Sequence, residues 1–243
     1  MKHHNDGWPE LTYRYIEHYA WEPQHLLLPG GGDAKVRGQE RIKKVYERLR
    51  RQEVPLNYLL NVLLRLLPSS VRLACLEPFG IDLTQPGLAS LSLKTPVDRK
   101  FIQPDVHLES ETARVFIEVK VDAPLKLSQI MKYVKLHTDP NGDDGCIKRS
   151  YILFLVKPTQ LALTDIKRSF SHQSTGKAIA DLLGAAGKDI TFGSTSWAEF
   201  AKTLQREMDL RRTGENEAAE MLVSLIGDFL ADLKLRHLLP EEV

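Results

Sequence analysis

The segment FIQPDVHLESETARVFIEVKVD, residues 101–122, carries side chains that could do chemistry together. Apolar and polar residues alternate on both sides of a central turn, which predicts two paired β-strands, 101–109 and 114–122. The alternation assigns the apolar residues of each strand to one face. It leaves Asp105 and Glu118 on the opposite face, so the segment predicts a hairpin that carries two carboxylates.

The length of the loop between the two strands decides whether these carboxylates meet. A four-residue loop, 110–113, places Asp105 directly opposite Glu118, and Lys120 then points to the same face because it follows Glu118 by two residues. A loop shorter by one residue would put the two acids on opposite faces. Like charges opposite each other destabilise a sheet, so the pairing indicates a cation between them. Mg²⁺ prefers oxygen ligands of this kind.

A helix predicted at 125–137 follows the hairpin and adds polar groups of its own. Gln129 and Tyr133 are four residues apart, so they share one stripe of this helix. The apolar stripe that would pack against the sheet consists of Leu127, Ile130, Met131 and Val134. Each polar residue alone is ordinary for a helix, and only their combination with the hairpin is informative.

Three short motifs in this region resemble those of the PD-(D/E)XK nuclease superfamily, in the branch with a downstream Gln-x-x-x-Tyr: Pro104-Asp105, Glu118-Val119-Lys120 and Gln129-x-x-x-Tyr133. The resemblance implies that Asp105 and Glu118 bind Mg²⁺ or Mn²⁺, and that Lys120 positions or activates the attacking water. It also implies that Gln129 and Tyr133 orient the site or the nucleic-acid backbone. The implied reaction is phosphodiester hydrolysis, with DNA favoured over RNA.

The conjunction of motifs is more specific than any one of them. An acidic residue two positions before a lysine also occurs at Asp33, Asp98, Asp165 and Asp232. Only the copy at Glu118 lies in a β-branched run, follows the single Pro-Asp dipeptide of the chain and precedes Gln-x-x-x-Tyr. The reaction needs a metal ion that acidifies water and a cation beside the phosphate, and these residue types supply both requirements.

One element of the family pattern is missing. Many members carry another acid on the helix before the sheet, and the polar stripe of the helix predicted at 56–67 is Asn57, Asn61 and Arg65. Substitutes for that acid would be Glu47, Glu53 or Glu77, or there is none. The gap keeps a second hypothesis open, a catalytically weakened nuclease-like fold that acts as a nucleic-acid-binding or assembly module.

Two further alternatives involve no catalysis. The charged residues could form a solvated sheet face with a salt bridge between strands. An unrelated α/β domain with a chance motif would point Asp105 and Glu118 to different faces. For nucleic-acid contacts, Lys126, Lys132 and Lys135 are the candidates nearest the predicted site.

The whole sequence predicts an α/β fold, a three-layer α/β/α domain with a central mixed β-sheet that is restriction-endonuclease-like. Residues 1–35 are predicted to be an N-terminal extension and residues 36–243 the nuclease-like domain. Besides the hairpin and its helix, the predicted strands are 71–77, 88–93, 150–156 and about 189–194, and the predicted helices are 36–52, 56–67, 160–184, 197–212 and 215–236.

Composition sets the remaining expectations. The chain has 243 residues, 42% hydrophobic, with a formal net charge of +1, so any basic surface must be local. Cys75 and Cys146 have no metal-ligand spacing and are expected to be reduced, buried thiols. With no signal peptide and no span for a membrane, we expect a soluble cytoplasmic protein. The apolar stripe at 222–233 would pack on the sheet or form the seam of a homodimer.

Overall fold

The computed structural model describes residues 7–16, 49–94, 103–121, 126–138, 149–157, 189–212 and 217–240. The predicted boundary at residue 35, the predicted helix 160–184 and Cys146 lie outside these ranges, as does the predicted helix 36–52 before residue 49. Two compact units are present, one formed by residues 64–207 and the other by residues 1–63 with 208–243. The predicted active-site residues all belong to the 64–207 unit.

One mixed five-stranded sheet lies in the 64–207 unit, with its strands in chain order. They are β1 (Ser92–Lys94), β2 (Val106–Glu109), β3 (Ala113–Val119), β4 (Arg149–Val156) and β5 (Ile190–Ser196). The pairs β1–β2 and β2–β3 are antiparallel, and the pairs β3–β4 and β4–β5 are parallel. The fold is therefore mixed α/β, as the sequence predicts.

Six α-helices lie within the described ranges: α1 (Trp8–Ile16), α2 (Glu53–Leu66), α3 (Ser69–Ala74), α4 (Leu127–Thr138), α5 (Trp197–Asp209) and α6 (Glu217–Leu235). Four of these elements, α2, α4, α5 and α6, correspond to predicted helices with shifted ends. Of these helices, none is long and apolar enough to cross a membrane.

The prediction of a strand at 71–77 is wrong. Pro68 caps the short helix α3, and a 3-10 turn, Glu77–Phe79, follows it. The short β-like run predicts a strand, but the buried side chains Val71 and Cys75 are four residues apart, which is a helical period. Cys75 is a free, buried thiol, as predicted.

Strand β4 lies between β3 and β5 and is buried on both faces. Every side chain from Ser150 to Val156 is buried, which explains why the sequence SYILFLV is almost continuously apolar. One face of the sheet packs against α4 in a core of Phe116, Ile130, Tyr133, Val134, Ile152, Phe154 and Val156. Met131 packs at the margin of this core. The predicted docking of α4 on the sheet is confirmed.

A glycine allows the 3-10 turn to approach β5. A Cβ atom on Gly193 would lie 2.5 Å from the backbone carbonyl oxygen of Phe79. Any side chain at this position would therefore push the turn away from the strand. Phe79 in turn contacts the ring of Phe200 on α5 in an edge-to-face arrangement, with ring centroids 6.5 Å apart.

The other unit is built around a buried carboxylate. The side chain of Asp232 on α6 accepts hydrogen bonds from Tyr13 Oη at 2.6 Å, Arg236 Nε at 2.7 Å and Arg50 Nε at 3.1 Å. Arg50 also pairs with Glu10 at 2.5 Å. Burial is the main reason why the pKa of Tyr13 is well above its ordinary value, so its hydroxyl remains a donor. This network links α1, α6 and the segment before α2.

The apolar stripe of α6 is covered within the chain. Leu222, Ile226, Phe229 and Leu233 are buried. The ring of Trp8 on α1 stacks on Phe229, with centroids 6.2 Å apart, and its indole N–H donates to the carbonyl of Leu225. The helix α1 therefore packs against part of this stripe.

We expect Asp232→Asn to lower the free energy of unfolding by about 3 kcal/mol or more, because two arginines would lose a buried counterion. The measurement is equilibrium unfolding in urea, followed by circular dichroism. Asp209→Asn is the matched control, since Asp209 pairs with Arg212 at an exposed position. A change below about 0.5 kcal/mol is expected for the control. Equal stability of the two variants would contradict the structural role of Asp232.

Candidate active site

The hairpin has the predicted register. Within the ladder, Glu109 lies opposite Arg114 and Val106 lies opposite Ile117. The same register continued by one residue sets Asp105 opposite Glu118 on one face. The predicted register is thus confirmed, although β3 already begins at Ala113, and this register does not direct the two acids to different faces.

The strands of the hairpin are shorter than predicted, and the site explains why. Strand β2 begins at Val106, five residues after the predicted start of the strand at 101, and β3 ends at Val119 before the predicted end at 122. Pro104 has no N–H with which to extend the ladder. Asp105 uses its side chain instead, because its Oδ2 accepts the backbone N–H of Val119 at 2.8 Å. The ladder between β2 and β3 therefore ends at the pair Val106 and Ile117, directly before Asp105 and Glu118.

Glu118 is the centre of the site. Its carboxylate is buried, with only 5% of the residue exposed. Oε1 accepts the amide of Gln129 at 2.9 Å and lies 2.7 Å from the ammonium of Lys120, while Oε2 accepts the hydroxyl of Tyr133 at 2.6 Å. All of these partners were predicted as site residues, and the structure brings them to one carboxylate.

Gln129 reaches Glu118 because of its place in α4. Its side-chain carbonyl accepts the backbone N–H of Lys126 at 3.3 Å, as in a capping box at the start of a helix. The amide oxygen of Gln129 thus accepts a hydrogen bond at the start of the helix, and its NH₂ group donates to Glu118. One helical turn later, Tyr133 lies on the same stripe and reaches the other oxygen. The spacing of four therefore matches the two oxygens of one carboxylate.

The Tyr133 hydroxyl is fixed as a hydrogen-bond donor. Burial raises the pKa of Tyr133 well above its ordinary value, and the negative charges of Glu118 and Asp105 raise it further. A phenol that stays protonated keeps donating to Glu118.

The lysine of the site is held by its backbone. Lys120 follows the last residue of β3, its N–H donates to the carbonyl of Leu155 at 2.8 Å, and its carbonyl accepts the indole N–H of Trp197 at 3.2 Å. A large apolar side chain such as that of Trp197 is typical of a protein core. It is buried, but it also anchors the chain at Lys120. Its position directly after strand β5 is the sequence signal for this role.

One alternative hypothesis about the charges is wrong, and a second expectation loses its original argument. A solvated sheet face is wrong, since Glu118 and Lys120 are both buried. A cation between the two acids is also not required to explain their proximity. Lys120, Gln129 and Tyr133 stabilise one carboxylate, and a backbone N–H stabilises the other.

The predicted substitutes for a third acid do not complete the site in the described ranges. Glu53 is the first residue of α2, and Glu77 forms an exposed ion pair with Arg206 at 2.6 Å. Glu47 lies outside the described residues. Asn61 on α2 donates to the backbone carbonyl of Asn57. Among the residues that the structure describes, there is no group of three or more His, Cys, Asp or Glu that could hold a metal.

The remaining pair of carboxylates still suits one class of metal. Mg²⁺ is commonly held by one or two carboxylates together with water and substrate phosphate, and it does not need a cage of protein ligands. Asp105 is partly exposed beside the buried Glu118, so an ion from solvent could reach it. The donor set is all oxygen, which suits Mg²⁺ or Mn²⁺ better than zinc.

The candidate nucleic-acid contacts are available to solvent. Lys126, Lys132 and Lys135 are exposed, at the start of α4 and along it. The same helix carries Gln129 and Tyr133, so its buried stripe builds the site and its exposed stripe presents positive charge.

Comparison with known protein families, with curated proteins and with solved structures gave no match. The geometry of the site is therefore the basis for assigning a function.

We expect Tyr133→Phe to lower the free energy of unfolding by about 2 kcal/mol, because a buried carboxylate loses one of its donors. Thermal and urea unfolding measure the effect. Tyr58→Phe serves as the control, since Tyr58 is 58% exposed and its substitution should change stability by less than about 0.5 kcal/mol. Unchanged stability of Tyr133→Phe would mean that its hydroxyl does not support Glu118.

Proposed function

We propose that the protein is a metal-dependent nuclease of the PD-(D/E)XK type that hydrolyses phosphodiester bonds, with DNA as the favoured substrate. One observation carries the proposal. The side chains of the Glu-x-Lys and Gln-x-x-x-Tyr motifs meet at the carboxylate of Glu118, and Asp105 lies beside them. A chance combination of common residues has no reason to converge in this way.

The fold supports the same proposal. Ligands in open α/β sheets bind outside the carboxyl ends of parallel strands. Glu118 lies next to the last residue of β3, which runs parallel to β4, and α4 covers this face of the sheet. We propose that the complete arrangement is the three-layer, restriction-endonuclease-like form that this family implies.

Each residue has a distinct part in the proposed reaction. Asp105 and Glu118 would hold Mg²⁺ or Mn²⁺. When bound, such an ion acidifies water and polarises a phosphoryl oxygen. Lys120 supplies a positive charge that stabilises the negative charge developing on the phosphate, or it orients the attacking water. Gln129 and Tyr133 fix the orientation of the Glu118 carboxylate, so that it does not have to reorganise during the reaction.

A second candidate function is a nuclease-like module that binds nucleic acid or supports an assembly without cutting. One observation favours it: both oxygens of Glu118 are already engaged by protein donors, and the described residues contain no third acid that joins the site. The two functions differ in whether bound DNA is cleaved.

The direct test is incubation of plasmid and single-stranded DNA with Mg²⁺ or Mn²⁺. We expect the wild type to cleave and Asp105→Ala, Glu118→Ala and Lys120→Ala to lose roughly 100-fold or more in rate, since each removes a charge that acts in the transition state. Gel electrophoresis or release of a fluorescent label measures the rate.

Lys202→Met is the matched control for these variants. Lys202 forms an exposed pair with Glu199 on α5, at 2.7 Å, so its loss removes a lysine–carboxylate pair away from the site. We expect this variant to cleave at the wild-type rate. Equal cleavage by all variants would disprove the catalytic assignment, and DNA binding without cleavage by the wild type would favour the second candidate function.

The exposed lysines predict a separate effect on affinity. Replacing Lys126, Lys132 and Lys135 together by Ala should weaken DNA binding and reduce the slope of log K against log salt by about two to three, close to one per lost phosphate contact. Fluorescence anisotropy over a salt series measures both quantities. The slope of Lys202→Ala should remain that of the wild type, and an unchanged slope in the triple variant would exclude these lysines from the interface.

A further inference from the structure

Lys120 and Glu118 form a buried ion pair in the centre of the candidate site. The ammonium lies 2.7 Å from Oε1, and about 6% of each side chain is exposed. Oε1 also accepts the amide of Gln129, whereas Oε2 has the single donor Tyr133. A carboxylate has about two acceptor positions on each oxygen, so Oε1 is saturated by protein donors.

This saturation conflicts with metal ligation at the same oxygen. A divalent cation and an ammonium within hydrogen-bond distance of one carboxylate repel each other, and the low solvent exposure weakens the screening between them. At the same time, a buried carboxylate with no cation nearby is strongly unfavourable. Glu118 therefore needs one positive charge beside it. A second positive charge at the same place is unfavourable, because the two charges repel each other.

We infer that Lys120 is the internal counterion of Glu118, and that a divalent cation binding at Asp105 and Glu118 displaces its ammonium from Oε1. This inference rests on the proposed function, because the metal belongs to that proposal. It assigns Lys120 two successive contacts. The ammonium first neutralises Glu118, and after displacement it is available to the phosphate of a bound substrate.

Displacement has a consequence for affinity that does not depend on catalysis. The metal must replace a favourable ion pair, so the ammonium lowers the affinity of the site for the metal. Removing the positive charge of Lys120 should therefore strengthen metal binding while it abolishes cleavage. A lysine that acted only on water or substrate would not oppose the metal in this way.

The test is Mn²⁺ binding without nucleic acid, measured from the electron paramagnetic resonance signal of free Mn²⁺. We expect Lys120→Met to bind Mn²⁺ about tenfold more tightly than the wild type, since a nearby like charge is lost. Glu118→Gln should bind much more weakly, and Lys202→Met should match the wild type. If Lys120→Met does not fold, Lys120→Gln replaces it, because its amide can donate to Oε1 without a charge.

Thermal unfolding gives an independent readout. Without metal, Lys120→Met should have a lower Tm than the wild type, since Glu118 loses its counterion. Added Mn²⁺ should raise the Tm of this variant more than that of the wild type.

The outcomes separate the two proposals. If Glu118→Gln binds Mn²⁺ as tightly as the wild type, the metal is not at Glu118, and the proposed function and the inference both fail. If the wild type binds through Glu118 but the neutral variants at Lys120 bind equally or more weakly, only the counterion inference is overturned.

Discussion

The burial of one carboxylate constrains the rest of the 64–207 unit. A buried Glu118 is tolerable only if donors reach both of its oxygens, and those donors come from two different elements. Lys120 is supplied by the end of the same strand, and Gln129 and Tyr133 by the helix that packs across the sheet. These hydrogen bonds form only if α4 has one particular rotation about its own axis and one particular distance from β3. The apolar core beneath it, around Phe116 and Ile130, is compatible with that placement.

Two of the buried acids, Asp232 and Glu118, show how one sequence pattern yields different sites. Asp232 and Glu118 each stand two residues before a lysine. On the helix α6 this spacing directs Lys234 away from Asp232, and Lys234 is exposed. Asp232 is enclosed by two arginines and a tyrosine. On a strand the same spacing puts both side chains on one face. Of these two motifs, only the one on β3 has an ion pair between its acid and its lysine, Glu118 and Lys120. The half-buried Asp105 lies beside this pair.

This difference separates a structural carboxylate from one suited to chemistry. Asp232 is held by two arginines, whose planar guanidinium groups fix its surroundings. Glu118 is held by an amide, a phenol and a lysine, whose ammonium is a point charge on a flexible stem. The carboxylate of Glu118 is thus oriented by two neutral donors and one ammonium, whereas that of Asp232 is enclosed by two guanidinium groups and a phenol.

The sequence by itself determined the parts that depend on local periodicity. Alternation assigned the residues of each hairpin strand to one face, and the spacing of Gln129 and Tyr133 put them on one helical stripe, because strands and helices repeat every 2 and every 3.6 residues. Periodicity failed at 71–77, where a short apolar segment suits both a strand and a helix. The tertiary structure decided which residues that are far apart in the sequence come into contact. It brought α4 onto the face that carries Glu118, placed Trp197 against the backbone of Lys120, and buried the charges that the sequence alone could equally have left in water.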